Sequence, residues 1–244
     1  MASTTTGSGL SWIPLESNPE VFNGWAQQAG LDISKDSYND IYSLDPEMLA
    51  SIPRPVKAVI VVFPYRERRG TRDAEDARQQ EGGNSNLHEK VFWMKQRIRD
   101  ACGAMAIVHS LANTPVTLTP DSPLSLFYNS ARGKAPLERS ALFETTPEFA
   151  TIHSSVTTIG QCNLPDNDEE VEAGYIAFVP YQGDGGEMKI AELDGARAGP
   201  VERGTFNEGE DLLDAALRIL KEDFIGKSGS IKFNVMYLGK PVAE

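Results

Sequence analysis

The stretch FWMKQRIRDACGAMAIVHSLAN, residues 92–113, decides how this chain folds. Its first half mixes polar and apolar residues, whereas its second half, Ala101 to Ala112, is crowded with small and apolar ones. Such a composition predicts a helix that is packed closely on all sides. We therefore expect a buried helix at the centre of the molecule, opening at Cys102.

Cys102 is the most informative residue of this helix. A thiol at a helix N-terminus meets the positive end of the helix dipole, which favours the nucleophilic thiolate. Gln96 lies six positions earlier, and a glutamine amide can donate a hydrogen bond to an oxyanion. On these two residues alone, a buried structural thiol and an ordinary polar glutamine stay open as alternatives.

The three histidines, His88, His109 and His153, do not complete a site with Cys102. His109 follows the cysteine by two helical turns, about 10 Å along the axis, which is too far for a direct base and favours a core histidine. We expect His88 and His153 to be solvated, with His153 in a long loop over Thr151–Ala173. No two histidines or cysteines have the spacing of metal ligands, so we expect no metal and no cofactor.

The remaining sequence predicts helices followed by a mostly antiparallel sheet, which is the α+β class. The polar stretch Tyr65–Lys90 lacks an apolar stripe for most of its length and predicts a surface loop or a solvated helix. Helices are predicted at Pro19–Ala29, from Asp45, and at Pro123–Ser130, Pro136–Thr145 and Glu210–Phe224; strands are predicted at Ala58–Phe63, Tyr175–Val179, Met188–Leu193 and Lys232–Leu238.

The composition limits the partners and the location. The 244 residues include 23 Lys and Arg against 35 Asp and Glu, a net charge of −12, which argues against nucleic acid and anionic membranes as partners. Two cysteines are typical of a reducing compartment, so we expect a cytoplasmic protein, with the nucleus as a second location. We also expect a monomer. We expect residues 1–9 to form a flexible tail and residues 10–240 to form a single domain.

Two motifs resemble those of the ubiquitin C-terminal hydrolases, small papain-like deubiquitinating cysteine peptidases. Phe92–Gly103 resembles the active-site signature of that family, with its glutamine and cysteine six positions apart, and Glu192–Gly195 resembles its late acidic motif. The similarity extends from about Leu10 to Leu238. Three further segments resemble the family: Trp12–Val21, Asp45–Leu49 and Ile52–Pro55.

The resemblance implies a knotted, papain-like α+β fold with a six-stranded antiparallel sheet and a crossover loop over the active site. It implies that Cys102 is the nucleophile, Gln96 the oxyanion donor and Asp194 the carboxylate that orients the base. His153 and Gly160–Gln161 match the start and the middle of the crossover loop, which would restrict the leaving group to small adducts or flexible chains. The implied partner is ubiquitin carrying an adduct at its C-terminal glycine.

One departure from the family concerns the general base. In the family a histidine stands directly before the strand that begins at Tyr175, and this sequence has Gly174 there. Without imidazole the thiol lacks its ion-pair partner and the leaving amine lacks its acid, functions that contribute ~10²–10⁴ each.

Two interpretations of Gly174 stay open: a non-catalytic pseudoenzyme that binds ubiquitin, and a hydrolase altered and impaired at this position. Since glycine predicts a gap about the size of a ring, we expect Gly174→His, and to some degree added imidazole, to restore turnover. A third interpretation has His153 swing in as a substitute base.

Overall fold

A fully antiparallel sheet forms the centre of the molecule in the computed structural model. The structure describes residues 9–81, 86–157, 173–226 and 233–242. Within these ranges the strands are β1 Ser37–Asp40, β2 Ala58–Pro64, β3 Ala173–Gln182, β4 Met188–Leu193, β5 Val201–Thr205 and β6 Asn234–Gly239. They lie in the order β1-β6-β2-β3-β4-β5, so that β2 and β3 occupy the middle. The predicted α+β class and the six-stranded sheet are confirmed.

Helices flank this sheet, and most of them were predicted. Asn18 accepts a hydrogen bond from the Glu20 N–H at 2.8 Å and begins the first helix, which Gly30 ends with φ 121°. The described helices are α1 Pro19–Ala29, α2 Pro46–Ala50, α3 Tyr65–Glu81, α4 Leu87–Lys90, α5 Cys102–Ala112, α6 Pro123–Ala131, α7 Pro136–Thr145, α8 Pro147–Val156 and α9 Leu212–Ile219, which continues as the π-helical segment Leu220–Ile225.

The sheet separates two hydrophobic clusters. Alternate β2 residues Val59, Val61 and Phe63 pack with α9, whereas Ala58 and Ile60 pack into the larger cluster on the other face. This alternation explains why β2 is an almost unbroken apolar run, since both of its faces are buried.

Helix α5 runs through the larger cluster, and its predicted start at Cys102 and its central position are confirmed. Small side chains allow it to pack against β2 and β3. His109 is fully buried and its Nε2 accepts a hydrogen bond from the Met94 N–H at 3.2 Å. The prediction of a core histidine is therefore confirmed.

Two segments differ from the sequence predictions. The polar stretch after β2 forms the 17-residue helix α3, so the helical alternative is confirmed, but Arg72 of this helix is buried rather than solvated. The predicted loop Thr151–Ala173 is wrong at its start, because residues 147–156 form α8, where apolar residues such as Phe149 and Ile152 are buried. Gly160–Gln161 and the predicted crossover loop lie outside the described residues, as do residues 1–8 of the predicted tail.

Among the helices that the structure describes, none combines the length and the hydropathy that a bilayer crossing requires.

Candidate active site

Cys102 is the first residue of α5 and follows a sharp turn of the backbone. Asp100 has φ 61°, a left-handed conformation that aspartate tolerates better than most residues and that redirects the chain into the helix. The cysteine is half-buried, and its sulfur is sheltered enough for desolvation to raise the thiol pKa to about 11, with the Asp100 carboxylate acting in the same direction. Backbone amides of Gly103 and Tyr175 lower this pKa but do not offset the burial. The prediction that the helix N-terminus favours the thiolate is therefore wrong, because burial favours the neutral thiol.

Gln96 lies against the turn that follows β4. Its backbone N–H donates to the Gly195 carbonyl at 2.8 Å, and its side-chain Nε2 donates to the Ile98 carbonyl at 3.0 Å. Its buried Oε1 has no hydrogen-bond partner within the described residues. The amide donor is thus engaged by the backbone here, and its role as an oxyanion donor stays a prediction.

Asp194 is buried just after β4, with 4% of its surface exposed. Its Oδ1 accepts a hydrogen bond from the Ala196 N–H at 2.7 Å, and its backbone carbonyl accepts one from Trp93 Nε1 at 3.0 Å. The other carboxylate oxygen, Oδ2, forms an ion pair with Nη2 of Arg72 from α3. The carboxylate that the resemblance assigns to an imidazole is therefore paired with a guanidinium.

Gly174 lies near the start of β3, directly opposite Phe63 on β2. A Cβ atom built at Gly174 would lie 3.0 Å from Phe63 Cζ and 3.2 Å from Tyr65 Cδ2, closer than most Cβ atoms approach their neighbours. Aromatic rings often cover glycines on neighbouring strands in this way. The predicted ring-sized gap at Gly174 is therefore wrong, because two aromatic rings line the direction in which a side chain would project.

The four predicted site residues converge in space. The Tyr175 N–H hydrogen-bonds the Cys102 sulfur, which places the thiol next to the Gly174 backbone. Gly195 fits tightly between α5 and the preceding loop, because a Cβ there would meet Met105 Cε at 3.0 Å and Gln96 Cβ at 2.9 Å. Met105 lies one turn after the cysteine, so the Asp194–Gly195 turn adjoins the same end of α5.

A network of ion pairs, which the sequence does not predict, attaches α3 to the sheet. Arg197 contacts Asp76 at 2.7 Å and Glu192 at 3.0 Å, and Arg203 contacts Glu192 at 2.6 Å and Glu75 at 3.0 Å. Glu192 and Arg197 each have only 1% of their surface exposed. Positions 72, 75 and 76 share one face of a helix, and this spacing was the available signal.

None of the histidines occupies the position of the missing base. His153 lies on α8 with 2% of its surface exposed, where Nε2 hydrogen-bonds the Ile13 carbonyl at 2.6 Å and the ring packs on Trp12. The expectation that His153 is a solvated loop residue is wrong. His88 is half-buried in α4. Within the described part of the chain, no group of three or more His, Cys, Asp or Glu side chains could hold a metal ion.

An antiparallel sheet, a buried central helix that starts at a cysteine, and a nearby carboxylate after β4 define a papain-like cysteine peptidase architecture. The family model described as "Ubiquitin carboxyl-terminal hydrolase, family 1" matches residues 12–225. The chain belongs to this family.

Known relatives and solved structures agree with this assignment. The chain is 30% identical to Ubiquitin carboxyl-terminal hydrolase 3 of Arabidopsis thaliana over 96% of its own length and 97% of that protein. It is 36% identical to Ubiquitin carboxyl-terminal hydrolase YUH1 of Saccharomyces cerevisiae, over 87% of each chain. The UCH37 catalytic domain of Trichinella spiralis, solved bound to ubiquitin vinyl methyl ester, has a similar fold with a TM-score of 0.73 at 22% identity, covering 95% of this chain and 96% of that one.

Proposed function

We propose that this protein recognises the C-terminal tail of ubiquitin. We further propose that, with glycine at position 174, it cleaves adducts from the C-terminal glycine of ubiquitin only slowly or not at all. The observation that carries this proposal is the Arg72–Asp194 ion pair beside Gly174, because it occupies the carboxylate that a catalytic imidazole needs. Membership of the ubiquitin carboxyl-terminal hydrolase family supports ubiquitin as the partner.

The family reaction has two steps that require a base. The Cys102 sulfur would attack the carbonyl of the terminal glycine, the amine would leave with a proton, and water would then hydrolyse the thioester. A thiol pKa of about 11 leaves on the order of one thiol in ten thousand ionised at pH 7. With no imidazole at Gly174 to accept that proton or return it to the amine, both steps lose their general acid–base catalyst.

The charge of the protein supports recognition of a basic partner. The net charge of −12 favours association with a positively charged chain such as the C-terminal tail of ubiquitin. A monomeric state, a cytoplasmic and nuclear location and the absence of nucleic-acid or membrane partners stay predictions.

The first experiment separates binding from chemistry. Calorimetric titration with ubiquitin is expected to give saturable binding to the protein and to its Cys102→Ala variant. Ubiquitin that lacks its two terminal glycines is expected to bind at least about tenfold more weakly, because it lacks the residues that would reach Cys102. Equal affinity for intact and truncated ubiquitin would contradict tail recognition.

The second experiment tests the thiol. Ubiquitin vinyl methyl ester is expected to form an adduct on Cys102 slowly, and only in chains that retain this cysteine. Binding with no adduct over many hours would instead favour the alternative function, a non-catalytic ubiquitin-binding pseudoenzyme, whose thiol is inert. Rapid adduct formation, complete within minutes, would contradict the proposed impairment.

A further inference from the structure

Arg72 is buried at a point where α3 crosses the candidate active site. Only 5% of its surface is exposed, and its guanidinium lies 5.0 Å from the ring centre of Phe63 and 4.9 Å from that of Tyr65. These are the two rings that a Cβ at Gly174 would meet. The guanidinium therefore stacks on the two rings that line the space into which a side chain at position 174 would extend.

The same guanidinium pairs with Asp194 through Nη2. Its Nη1 is buried with no hydrogen-bond partner among the described residues, so Arg72 is not held there by a full set of donors and acceptors. Stacking on the two rings and the charge of Asp194 account for its position. A histidine at position 174 would need the space near the two rings, and its imidazole would need to contact the Asp194 carboxylate.

We propose that Arg72 substitutes structurally for the missing imidazole, serving as the counter-ion of Asp194 and closing the space beside Gly174. Arg72 and Gly174 therefore depend on each other: a substitution at only one of the two positions does not create a pair between an imidazole and the Asp194 carboxylate. Arg72 is a positioning residue here, not a catalytic one, because a guanidinium stays protonated and cannot act as a general base. This inference rests on the proposed function only for the choice of substrate.

The test is a cycle of four proteins: the parent chain, Gly174→His, Arg72→Gln and the double variant. Hydrolysis of ubiquitin carrying a C-terminal aminocoumarin amide is measured for each. Gly174→His alone is expected to gain at most a few-fold, whereas the double variant gains about 100-fold over it, the contribution of a general acid–base group. Arg72→Gln alone is expected to gain no activity over the parent, because it frees Asp194 without adding a general acid–base group.

A matched control tests whether any arginine of α3 has this effect. Arg78 lies on the exposed side of the same helix, where its Nε donates to the Ala74 carbonyl at 3.2 Å. Arg78→Gln combined with Gly174→His is expected to behave like Gly174→His alone. A gain equal to that of the Arg72 double variant would overturn the proposal.

A second readout needs no ubiquitin. The pH profile of Cys102 alkylation by iodoacetamide reports whether an imidazole has reached the thiol, because a neighbouring imidazolium stabilises the thiolate. The midpoint is expected to fall by about 2 pH units in the double variant relative to Gly174→His. Equal midpoints in these two variants, whether both high or both low, would overturn the proposal.

Stability provides the check on folding. Arg72→Gln is expected to lower the melting temperature more in the parent than in the Gly174→His background, where the imidazolium can pair with Asp194. If Arg72→Gln prevents folding, Arg72→Met, which keeps the stacked stem, replaces it in the cycle. If the parent protein did not bind ubiquitin, the proposed function would be contradicted. The alkylation and melting measurements would still decide the role of Arg72.

Discussion

Phe63 and Gly174 face each other across β2 and β3, and the edge of the phenyl ring lies where the glycine has no side chain. The ring is also part of the cluster under α9, packing against Phe224 at 5.7 Å between ring centres. Its position is therefore fixed by the core as well as by the glycine. A side chain introduced at position 174 therefore requires this ring to shift by a few tenths of an ångström.

The state of the Cys102 thiol leads to the first prediction. Alkylation of Cys102 by iodoacetamide is expected to be slow at pH 7 and to rise about tenfold per pH unit up to about pH 10, because only the thiolate reacts and its pKa is about 11. The rate is followed by peptide mass spectrometry from pH 6 to 11. The Cys102→Ala variant, which retains Cys162, gives the background reaction. A plateau below pH 8 would show a thiolate stabilised by some other group.

At the scale of single residues, spacing and the family resemblance single out Cys102, Gln96 and Asp194. The structure places them around the start of α5, and their catalytic roles stay predictions. Arg72 was not predictable in the same way, because its partners Phe63 and Asp194 lie on β2 and after β4, although Tyr65 belongs to the same helix. A polar residue in a polar stretch carries no signal of burial until the partner across the fold is known.

At the scale of an element, helix α3 shows why the sequence pattern does not predict how a helix packs on the sheet. Its contact with the sheet is made by ion pairs rather than by an apolar stripe, so the pattern that identifies buried helix faces is absent. Glu75 illustrates this: burial raises its pKa, but Arg203 and Arg197 outweigh the burial and lower it to about 2. Helix α8 was missed for another reason, since Pro147 and the following apolar residues form only a short helical pattern beside a long polar stretch.

The ion pairs of α3 lead to the second prediction. Glu75→Gln is expected to destabilise the protein by about 2 kcal/mol, because it leaves Arg203 and Arg197 with one carboxylate fewer in a largely buried network. Urea unfolding measures the loss, and faster tryptic cleavage within residues 65–81 locates it. Glu208→Gln, at an exposed position, is the control and is expected to change stability by less than about 0.5 kcal/mol. Equal effects of the two substitutions would contradict the docking of α3 through Glu75.

At the scale of the whole molecule, the sheet separates two hydrophobic cores. His109 of α5 is buried in the larger core. Burial lowers the pKa of His109 to about 3, and it lowers the pKa of His153 as well. Burial therefore favours the neutral form of both rings in the folded protein, and each ring has a buried Nδ1 without a hydrogen-bond partner in the described residues. Unlike an exposed histidine, each therefore couples the stability of the fold to pH.

This coupling leads to the third prediction, a loss of stability in mild acid. The pKa of His109 is about 3 in the folded protein and about 6.5 in the unfolded chain, so the unfolded chain binds more protons between these values and the free energy of unfolding falls as the pH falls from 6.5. Each buried histidine contributes up to about 1.4 kcal/mol per pH unit. Glu75, with its pKa lowered to about 2, acts in the same direction only below pH 4.5.

Urea unfolding between pH 7.5 and 5 isolates the contribution of the histidines, since the carboxylate effects begin lower. His109→Gln, whose amide oxygen can still accept the Met94 N–H, is expected to reduce the slope over this range, and His153 contributes to the slope that remains. His88→Gln controls for the loss of a histidine at a half-buried position. A parent protein of constant stability from pH 7.5 to 5, or a His109→Gln variant with the full slope, would show that the His109 ring is protonated in the folded core.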